Sequence, residues 1–287
     1  MGRKSKNILV TGGAGFVGTN LIKTLLEKKH KVTSIDNYST GKKENEQEGC
    51  EYQTYSILNP FNYPPLFSNK EYDIVFHLAA SSRIQPSFKD PNPYILTNIV
   101  GTYNVVKYCV NNKIPLIYAG SSSHHSGKFK NPYTFTKSSG EEIIELYKQH
   151  FGLKAAITRF YNVYGPYQLT EGGYTTLIGK WLNNIKNKKE CEIYGNGEQR
   201  RDFTHVNDIV DGLIKIMETR TYKYTFEFGR GKNYSINEVA KIFKIDPIYK
   251  EAKPGEAKET LCNISLAKNI LNWEPQINLE DYINEQL

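Results

Sequence analysis

Near its N-terminus the chain runs Asn7-Ile8-Leu9-Val10, then Thr11-Gly12-Gly13-Ala14-Gly15-Phe16-Val17-Gly18, and a few turns later Lys31-Val32-Thr33-Ser34-Ile35-Asp36. Four apolar residues that stop at glycines make a short buried strand. From Gly15 to Lys28 the apolar residues Phe16, Leu21, Ile22, Leu25 and Leu26 recur at helical spacing, and the stretch ends on lysines. Lys31 to Asp36 is a second strand. A strand, a glycine turn, a helix and a strand form a βαβ unit, whose strands must be parallel because the helix carries the chain back to the starting edge. That unit constrains the fold more than any other feature of the sequence.

The same turn has a chemical use. Backbone N–H groups at a helix start, with no Cβ in the way, suit the pyrophosphate of a dinucleotide. Gly12, Gly15 and Gly18 would give the tight turn, the close approach and the helix–strand packing, with Phe16 and Val17 opening the helix. A plain strand-to-helix turn has a similar look, so the position matters: Asp36 closes the second strand. A carboxylate there accepts hydrogen bonds from both ribose hydroxyls and repels the extra phosphate of NADP, which favours NAD. Lys42 and Lys43 weigh mildly the other way.

Strands and helices go on alternating. Asp73–His77, Pro115–Tyr118 and Lys154–Thr158 read as strands, with helices at about Tyr94–Val110 and from near Tyr133 to His150. The expected architecture is α/β, a Rossmann-type doubly wound parallel sheet with a smaller C-terminal α/β substrate lobe. After Gly165-Pro166 the rhythm breaks. Residues 1–165 plus about 206–229 are expected to form the sheet domain, and about 166–205 with 230–287 the lobe.

Composition narrows the function classes. With 39% hydrophobic and 23% charged residues in 287, the chain is an ordinary globular one. No apolar run approaches the ~20 residues of a membrane span, and the basic start runs into a strand rather than a signal peptide. Cys50, Cys109, Cys191 and Cys262 lie too far apart in sequence for a disulfide framework or a zinc ribbon, so no metal is expected and the cytoplasm is the expected compartment. A net charge of +7 raises nucleic acid as a partner, but the lysines are scattered and form no stripe, so none is expected. Arg159, Arg200 and Arg201 sit where bidentate phosphate recognition would want them.

Tyr133 and Lys137 lie four apart at a helix start, hence on one face. A tyrosine is a poor base at neutral pH, with a pKa of about 10. A nearby ammonium and a nicotinium would both stabilise its phenolate. Ser121-Ser122-Ser123 follow the strand ending at Tyr118, at the carboxyl end of the sheet where such folds hold ligands.

Together these motifs resemble the extended short-chain dehydrogenase/reductases. The glycine turn, Asp36-Asn37-Tyr38-Ser39-Thr40-Gly41-Lys42, His77-Leu78-Ala79-Ala80, the serines and Pro132-Tyr133-x-x-x-Lys137 carry the likeness. So do Arg159-Phe160-Tyr161-Asn162-Val163-Tyr164-Gly165-Pro166 and Gly197-Glu198-Gln199-Arg200-Arg201-Asp202-Phe203. The motifs stand in the family's order over nearly the whole chain, and the nearest subgroup is the nucleotide-sugar epimerases and dehydratases, with UDP-hexose 4-epimerases the best match.

The resemblance implies a role for each position. Tyr133 would be the general base, and Lys137 would hold the nicotinamide ribose and lower the Tyr133 pKa. Ser121 would be the catalytic serine, with Ser122 the alternative. NAD would lie against Gly12, Gly15, Phe16, Val17, Gly18, Asp36, Asn37, Ser39, Thr40, Gly41, Ser56, Ile57, Leu78, Ala79, Ala80, Asn98 and Tyr161. A nucleoside-diphosphate sugar would meet Ser121, Ser123, Asn162, Thr176, Leu177, Tyr194, Arg201, Lys253 and Glu256, with Asn162 and Arg201 on the diphosphate. His77 is expected to pack at its strand end. A homodimer through the helices near Tyr94–Val110 and Tyr133–His150 is also implied, with a place in carbohydrate biosynthesis.

The implied reaction is an isomerisation, the inversion of C4 on a UDP-sugar through a transient 4-keto sugar. The departures from the family pattern bear on it. Dehydratases carry an Asp-Glu pair after the catalytic residue. Ser122-Ser123 and then His124-His125 stand there, so no carboxylate serves elimination. The stretch from Ser121 to Tyr133 is short, Tyr55-Ser56 replaces a Gly-Asp at the adenine, Lys253 replaces an arginine, and the small Thr260 leaves room for an N-acetyl group or a C6 carboxylate. A 4,6-dehydratase or decarboxylase is the alternative reaction. A non-catalytic NAD- or RNA-binding relative would be expected to lack the Tyr133–Lys137 pair.

Overall fold

A computed structural model describes residues 5–59 and 71–287. Seven strands form one parallel sheet: β1 (Asn7–Thr11), β2 (Lys31–Asp36), β3 (Cys50–Thr54), β4 (Ile74–His77), β5 (Leu116–Ala119), β6 (Ala155–Phe160) and β7 (Thr225–Phe228). Their order across the sheet is β7-β6-β5-β4-β1-β2-β3. The chain winds outward from β1 to β3, then restarts at β4 on the other side of β1. That reversal between β1 and β4 opens a crevice at the carboxyl ends of the two strands.

The inner strands are buried on both faces, as a sheet covered by crossover helices requires, while the edge strand β3 is not. Helices Phe16–Glu27 and Val206–Thr219 cover one face, where Leu21, Leu25, Ile209 and Leu213 pack on Ile8, Phe76 and Phe226. Helices Thr102–Asn111 and Pro132–His150 cover the other, where Val105, Val106 and Ile144 pack on Leu9, Val75 and Leu116. The expected helix near 94–110 is helical throughout, but residues Leu96–Gly101 are wound as a π-helix. That wider turn turns the buried Asn98 inward.

A third apolar cluster lies apart from the sheet and is built around Trp181, Ile193, Phe203, Val239, Phe243 and Ile283. Short ladders hold it: 192–194 with 248–250 in parallel, and 200–202 with 233–235 antiparallel. The helix–strand pair near 206–228 runs back into the main sheet, where β7 pairs along β6. The buried Asp202 carboxylate ties the 200–202 strand to the turn after β7 and to the segment at Cys262 by accepting the N–H groups of Arg230, Gly231 and Cys262 at 2.6, 2.9 and 3.0 Å. All four cysteines are free thiols.

Candidate active site

The glycine turn stands at the β1/β4 crevice. Gly12 has φ +75°, and a Cβ there would lie 2.7 Å from the Ala79 nitrogen, so only glycine lets this turn meet the Leu78–Ala80 loop. Gly18 and also Gly13 have no room for a Cβ, the first against the Gly12 carbonyl and the second against Ser34. The helix that follows begins at Phe16 with Gly15 as its N-cap, no side-chain cap and no acidic residue in its first turn. Its leading N–H groups, on Phe16, Val17 and Gly18, therefore remain open to an anion, and the helix dipole favours one.

Asp36 ends β2 beside this turn. Its oxygens accept Ala14 N–H at 3.0 Å and Tyr38 N–H at 2.8 Å, and burial raises its pKa against those bonds. A carboxylate has about four acceptor positions, so two remain for ribose hydroxyls. Asn37 Oδ1 accepts the Ser39 N–H, and Thr40 and Gly41 continue the same loop, with Gly41 against Asp36. Lys42 is paired with Glu44 at 3.0 Å and Lys43 lies over the Tyr38 ring, both at the exposed edge of the loop. Ser56 Oγ accepts Leu58 N–H in the turn after β3, and Ile57 is buried beneath Gly101. These residues fit a bound dinucleotide.

Two residues beside the crevice act as braces: Asn98, expected at the cofactor, and His77, expected to pack at its strand end. Asn98 uses its whole amide on the protein, accepting Ser81 N–H and donating to the Ser81 carbonyl and Thr136 Oγ1. It fixes the loop after β4 to the Tyr133 helix. His77 is bonded to Thr11 Oγ1 at 2.7 Å and Thr102 Oγ1 at 3.1 Å, and burial pushes its pKa down to about 3. It is a neutral strand-end residue, as its position predicts.

Across the crevice, Pro132 and the Asn131 cap start the helix that carries Tyr133 and Lys137. The Tyr133 hydroxyl donates to Ser121 Oγ at 3.2 Å, and Ser121 Oγ also accepts Ser123 N–H at 3.2 Å. The bond from Tyr133 goes to Ser121 and not to Ser122, which opens a 3-10 turn. One turn along the helix, Lys137 Nζ donates to the Ala119 carbonyl at 2.5 Å and lies 4.3 Å from the centre of the Tyr118 ring. Burial lowers the Lys137 pKa to about 8.

The Tyr133 pKa, expected to be lowered by Lys137, is raised in the structure. Burial raises the Tyr133 pKa, and what opposes it is the Ser121 bond and then the charge of Arg83, not Lys137. Arg83 gave no signal in sequence, where it sits in what reads as a loop.

Behind Ser121 lies a second group that sequence reasoning missed. Glu141 Oε1 accepts Ser121 N–H at 3.4 Å, and its other oxygen lies 2.7 Å from Arg159 and 3.2 Å from His124. Arg159 continues to Glu227 at 3.3 Å, which also accepts Tyr161 Oη at 2.9 Å and contacts His125. A carboxylate therefore does stand next to Ser121, but an arginine neutralises it. Arg159 is not available to phosphate. Arg200 is likewise taken, by Asn233 and Glu238. Tyr161, expected near a nicotinamide, is 2% exposed with its hydroxyl on Glu227. Glu141 has a sequence signature in hindsight: it follows Lys137 by four on one helix face, and a buried carboxylate needs a cation.

The residues expected to meet the substrate are only partly free to do so. Asn162 donates its amide to the Asp202 carbonyl at 2.9 Å and Thr260 Oγ1 at 3.0 Å. Its side chain then keeps only an acceptor, the wrong polarity for a diphosphate. Thr176 caps the helix Leu177–Lys186 through Gly179 N–H and donates to Gln168, while Leu177 packs on the lobe cluster. Arg201 reaches Glu256 at 3.4 Å, and Glu256 also accepts from Gln85 at 3.2 Å. Lys253 lies over the Tyr194 ring at 3.3 Å.

The model of the NAD-dependent epimerase/dehydratase family matches residues 8–227. The chain belongs to that family. Among curated relatives, a UDP-glucuronate 4-epimerase from Thermodesulfobacterium geofontis is 30% identical over 303 residues, covering 95% of this chain and 92% of its own. A UDP-glucose 4-epimerase from Thermotoga maritima, solved with UDP-glucose, superposes with a TM-score of 0.91 at 28% identity, covering 96% of both chains. A variant UDP-glucuronic acid 4-epimerase from Bacillus cereus, solved with a fluorinated UDP-glucuronic acid and NAD, has a TM-score of 0.86 at 28% identity, covering 98% of this chain and all of its own. The fold is the Rossmann-type one of these enzymes, and the cofactor is NAD.

Proposed function

We propose that this chain inverts C4 of a UDP-sugar, with Tyr133 as the residue that moves the C4 hydroxyl proton. The observation that carries the reading is the Tyr133 hydroxyl on Ser121 Oγ, with Lys137 one turn away, at the carboxyl ends of the strands beside the glycine turn. When bound, NAD would supply reversible hydride chemistry at C4, through which the sugar passes by way of a transient 4-keto form and is reduced on the opposite face. Tyr133 accepts the hydroxyl proton as the ketone forms and gives it back as the alcohol re-forms. Ser121 fixes the same oxygen by hydrogen bonding. Lys137, itself buried, would hold a positive charge beside the nicotinamide ribose. The uncapped helix start at Phe16–Gly18 takes the pyrophosphate, and Asp36 takes the adenosine ribose.

The division of labour follows the chain. Residues 1–165 with 206–229 bind NAD, and 166–205 with 230–287 bind the nucleotide sugar. Arg201 and Lys253 are the cations for its diphosphate, while Asn162 braces the loop beside them. Epimerisation is favoured over dehydration because Glu141, the carboxylate nearest Ser121, is already engaged by Arg159 and His124. The exposed apolar residues Ile95, Leu96, Val100, Tyr103, Leu146 and Phe151 lie on the helices expected to pair two copies, so the enzyme works as a homodimer. Among the described residues no helix is long and apolar enough to cross a membrane. The reading is of a cytoplasmic enzyme of carbohydrate biosynthesis.

The test is incubation of the NAD-loaded protein with UDP-, dTDP- and GDP-sugars. The expected product is a C4 epimer of unchanged mass from a UDP-sugar. Loss of water or carbon dioxide would replace the reading with a dehydratase or a decarboxylase.

A further inference from the structure

Arg83 has no assigned role in holding NAD or the diphosphate, yet the fold keeps it in a costly place. Its φ is +81°, a region open to glycine and unfavourable for any residue with a Cβ. It is held there from both sides. The Ser82 carbonyl accepts the Tyr94 hydroxyl at 2.7 Å, and the short helix Ile84–Lys89 is fixed to the catalytic helix by Ser87 Oγ, which accepts Tyr133 N–H at 3.1 Å. The edge-to-face contact of Tyr94 with Tyr133, at 6.3 Å between ring centres, closes the same corner.

The side chain is under-used. A guanidinium carries five N–H donors in a planar fork, and here Nε alone is engaged, on the Tyr174 carbonyl at 3.1 Å. No carboxylate among the described residues pairs with it. Glu256, whose charge acts on it, is hydrogen-bonded by Gln85 and Arg201. A largely buried cation without a counter-ion is unfavourable unless a ligand brings the anion. The diphosphate cations Arg201 and Lys253 belong to the lobe, whereas Arg83 stands on the Tyr133 side, where the sugar reacts.

We propose that Arg83 recognises an acidic group on the hexose itself, so that the preferred substrate is a UDP-sugar bearing a carboxylate. This rests on the epimerase reading of the site. The planar fork matches a carboxylate bidentately, and a lysine would not.

The test measures kcat and KM of the NAD-loaded protein for UDP-glucuronate and UDP-glucose. The wild type is expected to prefer UDP-glucuronate at least tenfold in kcat/KM. Arg83→Gln should lower that preference at least tenfold, chiefly through the KM for UDP-glucuronate, with Arg83→Lys between the two. Arg83→Gly, which relaxes the backbone while removing the charge, should give the same loss and separates it from a folding defect. An unchanged preference in Arg83→Gln and Arg83→Gly overturns the proposal. So does an equal loss on both sugars with the acidic limb of the pH profile moved upward, which would mean that Arg83 acts on Tyr133 instead. If the wild type turns over neither sugar, the epimerase reading fails, and calorimetry decides this proposal separately. Binding of UDP-glucuronate tighter than UDP-glucose, lost in Arg83→Gln, supports it, and equal affinities overturn it.

Discussion

Ser121 stands between two flanks of opposite character. On one, Glu141, Arg159, Glu227, His124, His125 and Tyr161 satisfy one another, with Arg159 held between two carboxylates. On the other, Tyr133 donates a single bond to Ser121, Lys137 one to a carbonyl, and Arg83 one to a carbonyl with no ion pair among the described residues. Both flanks carry buried charge, although His124 and His125 at the edge of the first are exposed. Burial of charge is therefore not itself a mark of function. The saturated flank sets shape, and the flank with bonds left to make is the one a ligand completes.

Single substitutions should separate the two. Tyr133→Phe, on the open flank, is expected to lower kcat by about 10²–10⁴-fold while NAD stays bound and the thermal midpoint hardly moves. Turnover assays beside the absorbance of retained cofactor check both halves, and a near-normal rate would erase the distinction. Arg159→Met, on the saturated flank, strands two carboxylates and should cost about 3–5 kcal/mol of stability in urea unfolding. A loss below about 1 kcal/mol would show that the network is not structural.

The charge on Lys137 gives a pH-dependent version of the same contrast. Its pKa is about 8 in the folded protein against 10.5 ordinarily, so between those values the unfolded chain binds more protons and stability rises with pH. Below pH 8 the burial penalty is present in full. Relative to Lys137→Met, the wild type should thus gain on the order of 2 kcal/mol from neutral pH to above 10. A flat difference between the two unfolding curves would mean that Lys137 is not desolvated. The smallest effect is expected for Arg83→Gly. Release of the strain at φ +81° and the added chain entropy of glycine nearly offset. The thermal midpoint should stay level or rise by about 2 °C, and a clear fall would mean that the arginine supports the fold.

The same contrast explains what the sequence made legible. Asp36 ends β2 where the alternation of apolar residues stops, and Tyr133, Lys137 and Ser121 lie in local motifs, so periodicity and spacing reach them. The strands at 192–194 and 248–250 are too short to carry a period. The π-wound turn at Leu96–Gly101 has the composition of an ordinary helix. Glu141, Arg159 and Glu227 come from a helix and two strands as much as 86 positions apart, and only the sheet order makes them neighbours. Asn162 and Asn98 matched the positions expected to touch ligands, yet their amides are used on the protein. Position in a motif says where a residue stands, not which of its hydrogens are free.

Inversion by the 4-keto route oxidises C4 and reduces it again within one site. It is tested most directly with a UDP-sugar carrying deuterium at C4, incubated with the NAD-loaded protein in ordinary water and followed by NMR to the epimer. The deuterium is expected to stay at C4 of the inverted product. Deuterium replaced by hydrogen from water would contradict that route.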